Sequence, residues 1–157
     1  MKITYLHHSG FSVETETKVL LFDYYTEGGR KAYFDPAAYP DKAVFVFVSH
    51  AHEDHYDRRI LSWAKLPNVR YVLSFDVRTE AGFEGRVLRA EPHRTYDFDG
   101  ISIQTLRSND EGVAFLVKAD GKTIYHAGDL NWWHWNGEPE DFNAHIEKSY
   151  TTEINRL

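Results

Sequence analysis

The chain has 157 residues, a length that suits one domain, and a formal net charge of -6. It contains no cysteine, which excludes disulfides and thiolate metal sites, so any metal must be bound by His, Asp or Glu. Basic residues are scattered, no apolar run reaches the length of a membrane span, and the polar start is unlike a signal peptide. We therefore expect a single cytoplasmic domain over residues 1–157, with neither nucleic acid nor membrane as a partner.

The first third of the chain has the pattern of a β-meander. Residues 3–6, 11–14 and 18–22 are short β-prone runs separated by polar turns. Residues 44–48 are continuously β-branched and aromatic, which predicts a strand buried on both faces. Residues 58–65 have the composition of a helix, and residues 71–74 return as a strand.

Two tight hairpins and a final helix follow. Asp99-Gly100 and Asp120-Gly121 each separate two β-prone runs, and Asp-Gly supplies the positive φ angles of a two-residue turn. A helix is predicted over residues 139–156, because apolar residues recur along one face: Phe142, Ile146, Tyr150 and Ile154.

A cluster of potential metal ligands begins where the strand 44–48 ends. His50 and His52 are two residues apart, so on an extended segment both reach one ion. Asp54 and His55 follow where the chain must turn, and the turn can direct them to a second ion about 4 Å away, as in two-metal hydrolytic sites. A surface cluster without metal is the alternative interpretation, and the position at the end of a buried strand counts against it.

A second feature is the run from Tyr125 to Asp129. An apolar strand ending in Gly128-Asp129 delivers a carboxylate beside a residue that permits close backbone approach, and such a carboxylate can bridge two cations. A plain strand-to-loop turn explains Gly-Asp equally well when it stands alone.

Together these motifs resemble the metallo-β-lactamase-fold hydrolases. Residues 48–57 resemble the family's His-x-His-x-Asp-His signature, residues 124–129 its later Gly-Asp strand, and residues 5–23 its first hairpin. The similarity is greatest to small uncharacterised metal-dependent hydrolases related to bacterial ascorbate-phosphate lactonases. It implies an α+β fold, namely the N-terminal half of an αββα sandwich with mainly antiparallel or mixed sheet and flanking helices.

The resemblance also implies a ligand set and a chemistry. His50 and His52 would bind the first ion, Asp54 and His55 the second, and Asp129 would bridge the two. Asp54 would also orient a metal-activated water for attack on an acyl or phosphoryl centre. The cofactor expected is one or two divalent ions, zinc first, with manganese, iron and nickel left open because imidazole with carboxylate suits several metals.

The sequence departs from the family pattern in two places. The loop 106–112 should supply a third histidine to the first ion and has none; Asp110 or Asn109 could substitute, His93 is a more distant candidate, and Asp110 is equally well explained as a turn residue. The family's second half, with its final metal histidine, does not follow. We expect either a fragment or a short form completed by a second copy in a homo-oligomer, unless His134 or His145 is recruited.

Aromatic and histidine residues near the motifs have two interpretations each. Trp133 and His134, within the run 131–136, could wall a substrate cleft, or the rings of that run could pack in a core or interface. His8 would lie at the mouth of the site, or serve only in a tight Ser-Gly turn. The expected function is hydrolysis of an ester, lactone or phosphodiester bond in a small molecule. A metal-binding protein without turnover is the alternative.

Overall fold

Two β-sheets form the centre of the protein. The computed structural model describes residues 1–27, 34–79 and 85–157. The first sheet has the strand order β1-β2-β3-β4-β5-β6, and the second the order β10-β9-β8-β7. The strands are β1 (Lys2–His7), β2 (Gly10–Glu14), β3 (Lys18–Phe22), β4 (Ala43–Val48), β5 (Val69–Ser74), β6 (Val87–Ala90), β7 (Thr95–Phe98), β8 (Ile101–Arg107), β9 (Val113–Ala119) and β10 (Lys122–His126).

The first sheet changes from antiparallel to parallel at β3. Strands β1 to β3 form the predicted antiparallel meander, whereas β4, β5 and β6 each pair in parallel with the strand before. The register places Leu20 beside Phe45 and Phe22 beside Phe47. As predicted, β4 is buried on both faces, from Val44 to Val48. Because β3 and β4 are parallel, the residues that follow them lie at one edge of the sheet.

The second sheet is wholly antiparallel and contains both predicted hairpins. Asp99 and Gly100 have φ of 47° and 81°, and Asp120 and Gly121 have φ of 47° and 69°. Positive φ at both central residues is the geometry whose twist matches the flanking strands, so the Asp-Gly prediction is confirmed.

The sheets pack face to face around an apolar core. Side chains from both inner faces meet there, including Phe22 and Phe47 from the first sheet and Phe115 and Ile103 from the second. The outer face of the first sheet is covered by a second cluster containing Ile60 and Trp63 of the helix Arg58–Lys65. Mixed and antiparallel sheets with flanking helices confirm the expected fold class.

Three elements differ from the sequence prediction. Arg58–Lys65 is a 3-10 helix rather than an α-helix, and its buried residues Ile60 and Trp63 pack on the first sheet within the connection between β4 and β5. Strand β6 was not predicted. Helix α1 spans Glu140–Ile154 and packs through Tyr150 and Ile154, whereas Phe142, assigned to its buried face, is 42% exposed. None of the helices in the described residues combines the length and the hydrophobicity of a transmembrane helix.

Candidate metal centre

The candidate ligands lie at the edge where the parallel strands end. His50 and His52 follow β4 directly, and Asp54 and His55 lie in the next turn. Asp129 arrives from the second sheet, three residues after β10 ends. A backbone hydrogen bond from Val113 N to Ser49 O, of 2.9 Å, joins the two sheets at this edge. The site therefore stands where both sheets contribute loops.

One group of potential ligands consists of His50, His52 and Asp129. One ligand atom from each lies within 4.8 Å of the others. The imidazole Nε2 of His50 is 3.6 Å from Oδ2 of Asp129. His50 is fully buried, while His52 is exposed.

A second group consists of His8, Asp54 and His55, also within 4.8 Å of one another. Nε2 of His8 is 2.8 Å from Oδ2 of Asp54, so His8 contacts a candidate ligand directly. Nε2 of His55 is 3.3 Å from Oδ1 of Asp129. Each oxygen of the Asp129 carboxylate thus lies near a histidine of a different group: Oδ2 lies near His50 and Oδ1 near His55.

A tight turn brings the motif residues together. The carbonyl oxygen of His52 accepts hydrogen bonds from the backbone N–H groups of His55 and Tyr56, at 3.1 and 3.0 Å. The backbone N–H of Ala51, between the first two histidines, donates to Oδ2 of Asp76 at 3.0 Å. This geometry explains how a run of six residues can supply side chains to two groups.

Below the ligands, the buried carboxylate of Asp23 organises the site. Asp23 follows β3 and accepts hydrogen bonds from Ser49 N, Ser49 Oγ, His55 Nδ1 and His126 Nε2, at 2.7 to 2.8 Å. An ionised carboxylate only accepts, so Nδ1 of His55 must carry a proton, and in the neutral imidazole that a metal binds the lone pair is then on Nε2. Because Ser49 Oγ donates to Asp23, it accepts from Nδ1 of His50 at 2.9 Å, and Nε2 of His50 is likewise a lone-pair donor.

Burial and this network shift the pKa values of the site. Burial would raise the pKa of Asp23, but hydrogen bonds and positive charge from His126 and His55 hold it well below its usual value. Burial lowers the pKa of His50, helped by the neighbouring His55. For His55 the burial effect is outweighed by the hydrogen bond to Asp23 together with the negative charges of Asp23, Asp129 and Asp54, and its pKa is raised. Burial opposes ionisation of Asp54, but the hydrogen bond from His8, a backbone hydrogen bond and the charges of His55 and His8 together lower its pKa.

The donor set fits a divalent metal ion. Nε2 of His50 is buried and has no hydrogen-bond partner within the described parts of the chain. A buried polar atom without a partner is costly, and this one carries a lone pair aimed at a carboxylate and a second histidine. Neutral imidazoles with fixed tautomers beside carboxylates are the ordinary ligands of zinc and similar ions.

Two glycines allow the loops to approach His50 closely. A Cβ on Gly112, whose φ is +71°, would lie 2.0 Å from Ser49 O and 2.7 Å from the Cβ of His50. A Cβ on Gly128, at φ +53°, would lie 2.7 Å from the Cβ of Ser49. These contacts explain why Gly precedes Asp129 in the chain, as the sequence analysis expected.

The residues considered for the missing third histidine have varied surroundings. Asn109 hydrogen-bonds the backbone of Asn131 in both directions, and His93 contacts Glu153. The backbone N–H of Asp110 donates to Ser108 Oγ at 3.1 Å, as in a turn. The carboxylate that approaches the site is that of Glu111, whose Oε2 is 3.4 Å from Nε2 of His52.

The tryptophan-rich segment divides between two surroundings. Nε1 of Trp133 donates to the carbonyl oxygen of Asp129 at 3.3 Å, which places Trp133 beside the site. His134 instead lines a separate cavity against helix α1, together with Trp132, Trp135 and Asn143. His145 lies on helix α1 beside a different surface cavity, with Lys148 and Glu153.

An open cleft of about 460 Å³ adjoins the second ligand group. His8 and Gly128 form part of its wall, and the remaining side chains are mainly apolar. They include Ile3, Phe11 and Val13 from β1 and β2, Phe22 from β3, and Ile124 and Tyr125 from β10.

Sequence reasoning gave no role to Asp23, Ser49, His126 or Glu111. For Asp23 a signal existed, since a carboxylate directly after a buried apolar strand is at the edge where sites form. For Glu111 and His126 no local signal existed, because their partners are distant in sequence.

Comparisons with known proteins agree with this architecture. The profile of the Beta-lactamase superfamily domain matches residues 2–140. The chain is 30% identical over 142 residues to a UPF0173 metal-dependent hydrolase of Pyrococcus abyssi, covering 82% of this chain and 61% of that protein. It is 31% identical over 146 residues to a UPF0173 metal-dependent hydrolase of Desulforamulus reducens, covering 82% and 62%. The chain thus spans about three-fifths of the length of these relatives.

Solved structures show the same fold. Igni18, a metallo hydrolase from Ignicoccus hospitalis, superposes with a TM-score of 0.55 at 21% identity, covering 80% of this chain and 59% of that one. A metallo-β-lactamase from Staphylococcus aureus gives a TM-score of 0.58 at 16% identity, covering 99% and 51%. The chain belongs to the β-lactamase superfamily, has the metallo-β-lactamase fold, and has metal-dependent hydrolases as relatives.

Proposed function

We propose that the protein hydrolyses an ester, lactone or phosphodiester bond of a small molecule, using a water activated by divalent metal. The observation that carries the proposal is the position of Asp129. Its Oδ2 is 3.6 Å from Nε2 of His50, and its Oδ1 is 3.3 Å from Nε2 of His55. A carboxylate between two imidazole groups of fixed tautomer is suited to bridge two ions.

The ligands proposed for the first ion are His50 and His52, for the second Asp54 and His55, with Asp129 shared. Zinc is the proposed metal, because imidazole nitrogen and carboxylate oxygen are its usual ligands outside cysteine sites. When bound, such ions supply a water acidic enough to ionise near neutral pH and polarise the oxygen of the scissile bond.

The chain's own groups have separate proposed roles. Asp54, held by His8 at 2.8 Å, orients the attacking water and accepts its hydrogen bond. Asp23 holds His55 and, through Ser49, His50 in the tautomers that leave Nε2 free. The apolar cleft beside His8 receives the part of the small-molecule substrate that does not react.

The proposal is tested by metal content and turnover together. The purified chain is loaded with Zn²⁺ or Mn²⁺, metal is counted by elemental analysis, and hydrolysis is assayed with nitrophenyl esters, simple lactones and bis(nitrophenyl) phosphate. We expect two ions per chain and activity on at least one bond class, with both reduced in His50→Ala. Lys122→Ala, an exposed change in β10, is the matched control. Two bound ions with no hydrolysis of any bond class would contradict the proposal.

A binding protein without turnover is the second candidate. The observation in its favour is that the loop 106–112 carries no histidine, so the first ion has fewer imidazole ligands than the family pattern supplies. This candidate predicts one ion or none and no hydrolysis. Whether two copies associate is measured by sedimentation on the same samples, and a dimer would support the proposed homo-oligomer.

A further inference from the structure

We propose that Glu111 is a ligand of the first metal ion and occupies the role that a histidine has in the family pattern. This inference rests on the metal centre of the proposed function. It assigns a residue that neither the motif nor the spacing identified.

The loop containing Glu111 is fixed against the strand end that carries His50. Val113 N donates to Ser49 O at 2.9 Å, and Ser108 N donates to Gly112 O at 3.2 Å. Gly112 packs so closely on Ser49 that no side chain fits at that position. Glu111 directly precedes this contact, so its backbone is held beside the ligand group.

The side chain of Glu111 points toward that group. Its Oε2 is 3.4 Å from Nε2 of His52, and the two side chains are 54% and 44% exposed. An exposed carboxylate gains little from a surface contact with an imidazole. A metal ion bound by both side chains would stabilise this arrangement more than their direct contact does, because each side chain offers the ion a lone pair.

An independent observation marks the same place as a ligand site. Nε2 of His50 is fully buried, has its lone pair free, and finds no hydrogen-bond partner in the described part of the chain. His50 and His52 are members of one group whose ligand atoms lie within 4.8 Å. Adding Glu111 gives two imidazoles and a glutamate, a combination that binds catalytic zinc in other proteins.

Two neighbouring residues of the loop form hydrogen bonds of their own. Asn109 uses both its amide oxygen and its amide nitrogen on the backbone of Asn131. Asp110 lies in the turn closed by its own N–H and Ser108 Oγ. Glu111 is an acidic residue of this loop whose carboxylate lies 3.4 Å from Nε2 of the candidate ligand His52.

A carboxylate in place of a third imidazole changes the metal preference of the site. It adds a negative charge and an oxygen donor, both of which favour harder cations such as Mn²⁺ relative to Zn²⁺. The inference thus predicts that the first site binds Mn²⁺ more readily than a three-histidine site would.

The test measures metal binding without relying on turnover. Chelator-treated protein is titrated calorimetrically with Mn²⁺ and with Zn²⁺, and Co²⁺ loading is followed by visible absorption. Glu111→Gln should weaken binding at one of the two sites at least about 10-fold, the loss that even outer partners of ligands produce. Asp110→Asn, the same charge change one residue away, should leave both affinities unchanged.

The Glu111→His variant shows whether Glu111 binds the metal directly or acts only through its negative charge. As a ligand, the new imidazole restores binding lost in Glu111→Gln and shifts the preference from Mn²⁺ toward Zn²⁺. Equal binding by wild type and Glu111→Gln, or loss confined to Asp110→Asn, would overturn the inference. If Glu111→Gln loses an ion while wild type hydrolyses nothing, the ligand assignment stands and the proposed function alone fails.

Discussion

Nδ1 of His55 lies 2.8 Å from Oδ2 of Asp23, and both side chains are buried. The same carboxylate accepts from Ser49, which in turn contacts Nδ1 of His50. A residue outside both ligand groups thus sets the protonation of two of the proposed ligands.

Asp23→Asn should weaken metal binding by about 10- to 100-fold, the usual effect of removing a partner that orients a ligand. The amide must turn its NH₂ toward groups that are themselves donors, so the tautomer of His55 is no longer fixed. Affinity is measured by competition with a chromophoric chelator. Asp120→Asn, the same change at the opposite end of β10, is the control and should bind metal normally. A folded Asp23→Asn chain with wild-type affinity would refute this role.

Gly112→Ala should destabilise the fold more than Gly121→Ala. Both glycines have positive φ, +71° and +69°, so the backbone strain is matched at about 1–2 kcal/mol. Around Gly121 nothing lies within 4 Å of the added Cβ, whereas at Gly112 it would lie 2.0 Å from Ser49 O. The clash should add roughly 1–3 kcal/mol, as overpacking does. Urea unfolding of the metal-free variants gives the free energy of unfolding of each. If Gly112→Ala and Gly121→Ala lower it equally, the loop moves freely away from Ser49.

Asp120→Asn should destabilise the protein in a pH-dependent way. The Asp120 carboxylate accepts from Lys18 Nζ, Thr17 N and Thr15 Oγ1 at 2.7 to 2.8 Å, and these contacts hold its pKa well below the ordinary value of 3.8. At pH 7 the substitution should lower the free energy of unfolding by about 1.5–3 kcal/mol, the range for hydrogen bonds to a charged group.

The sign of the pH effect follows from the lowered pKa. The native state binds a proton less readily than the unfolded chain, so the stabilisation is complete above about pH 5 and declines as pH falls through 3.8 toward the lower pKa of the folded state. The difference in the free energy of unfolding between wild type and Asp120→Asn should become smaller when urea unfolding is repeated at pH 3 with chelator. If this difference is the same at both pH values, Asp120 stabilises the fold through the geometry of its contacts rather than through its charge.

Glu153→Ala should loosen helix α1. Glu153 is buried, accepts from Arg107 N at 3.0 Å, and lies 2.8 Å from Nε2 of His93. Leaving that backbone N–H unpaired should cost about 1–3 kcal/mol. The exposed Glu147 on the same helix is the matched control, and Glu147→Ala should change the free energy of unfolding by less than about 0.5 kcal/mol. Equal effects in urea unfolding would show that Glu153 makes no net contribution.

Local patterns predicted most of the strands correctly. Alternating or continuous apolar runs identified β1 to β5, and Asp99-Gly100 and Asp120-Gly121 identified the hairpins, because a turn needing positive φ depends only on its own residues. The 3-10 character of Arg58–Lys65 was missed, since its apolar spacing is compatible with either helix type. The cytoplasmic location and the absence of nucleic-acid and membrane partners stay predictions.

By itself the sequence determined which side chains are able to bind a metal: without cysteine, the run from His50 to His55 and the Gly128-Asp129 pair are the chemical candidates. Only the tertiary structure decided which of them meet. The proposed ligand His55 meets Asp23 and His126 because β3 and β4 are parallel and β10 belongs to the sheet packed against them, although Asp23 and His126 are 103 positions apart in the chain. Glu111 reaches His52 for the same reason, since contacts between sheets depend on packing and leave no periodic signal in the chain.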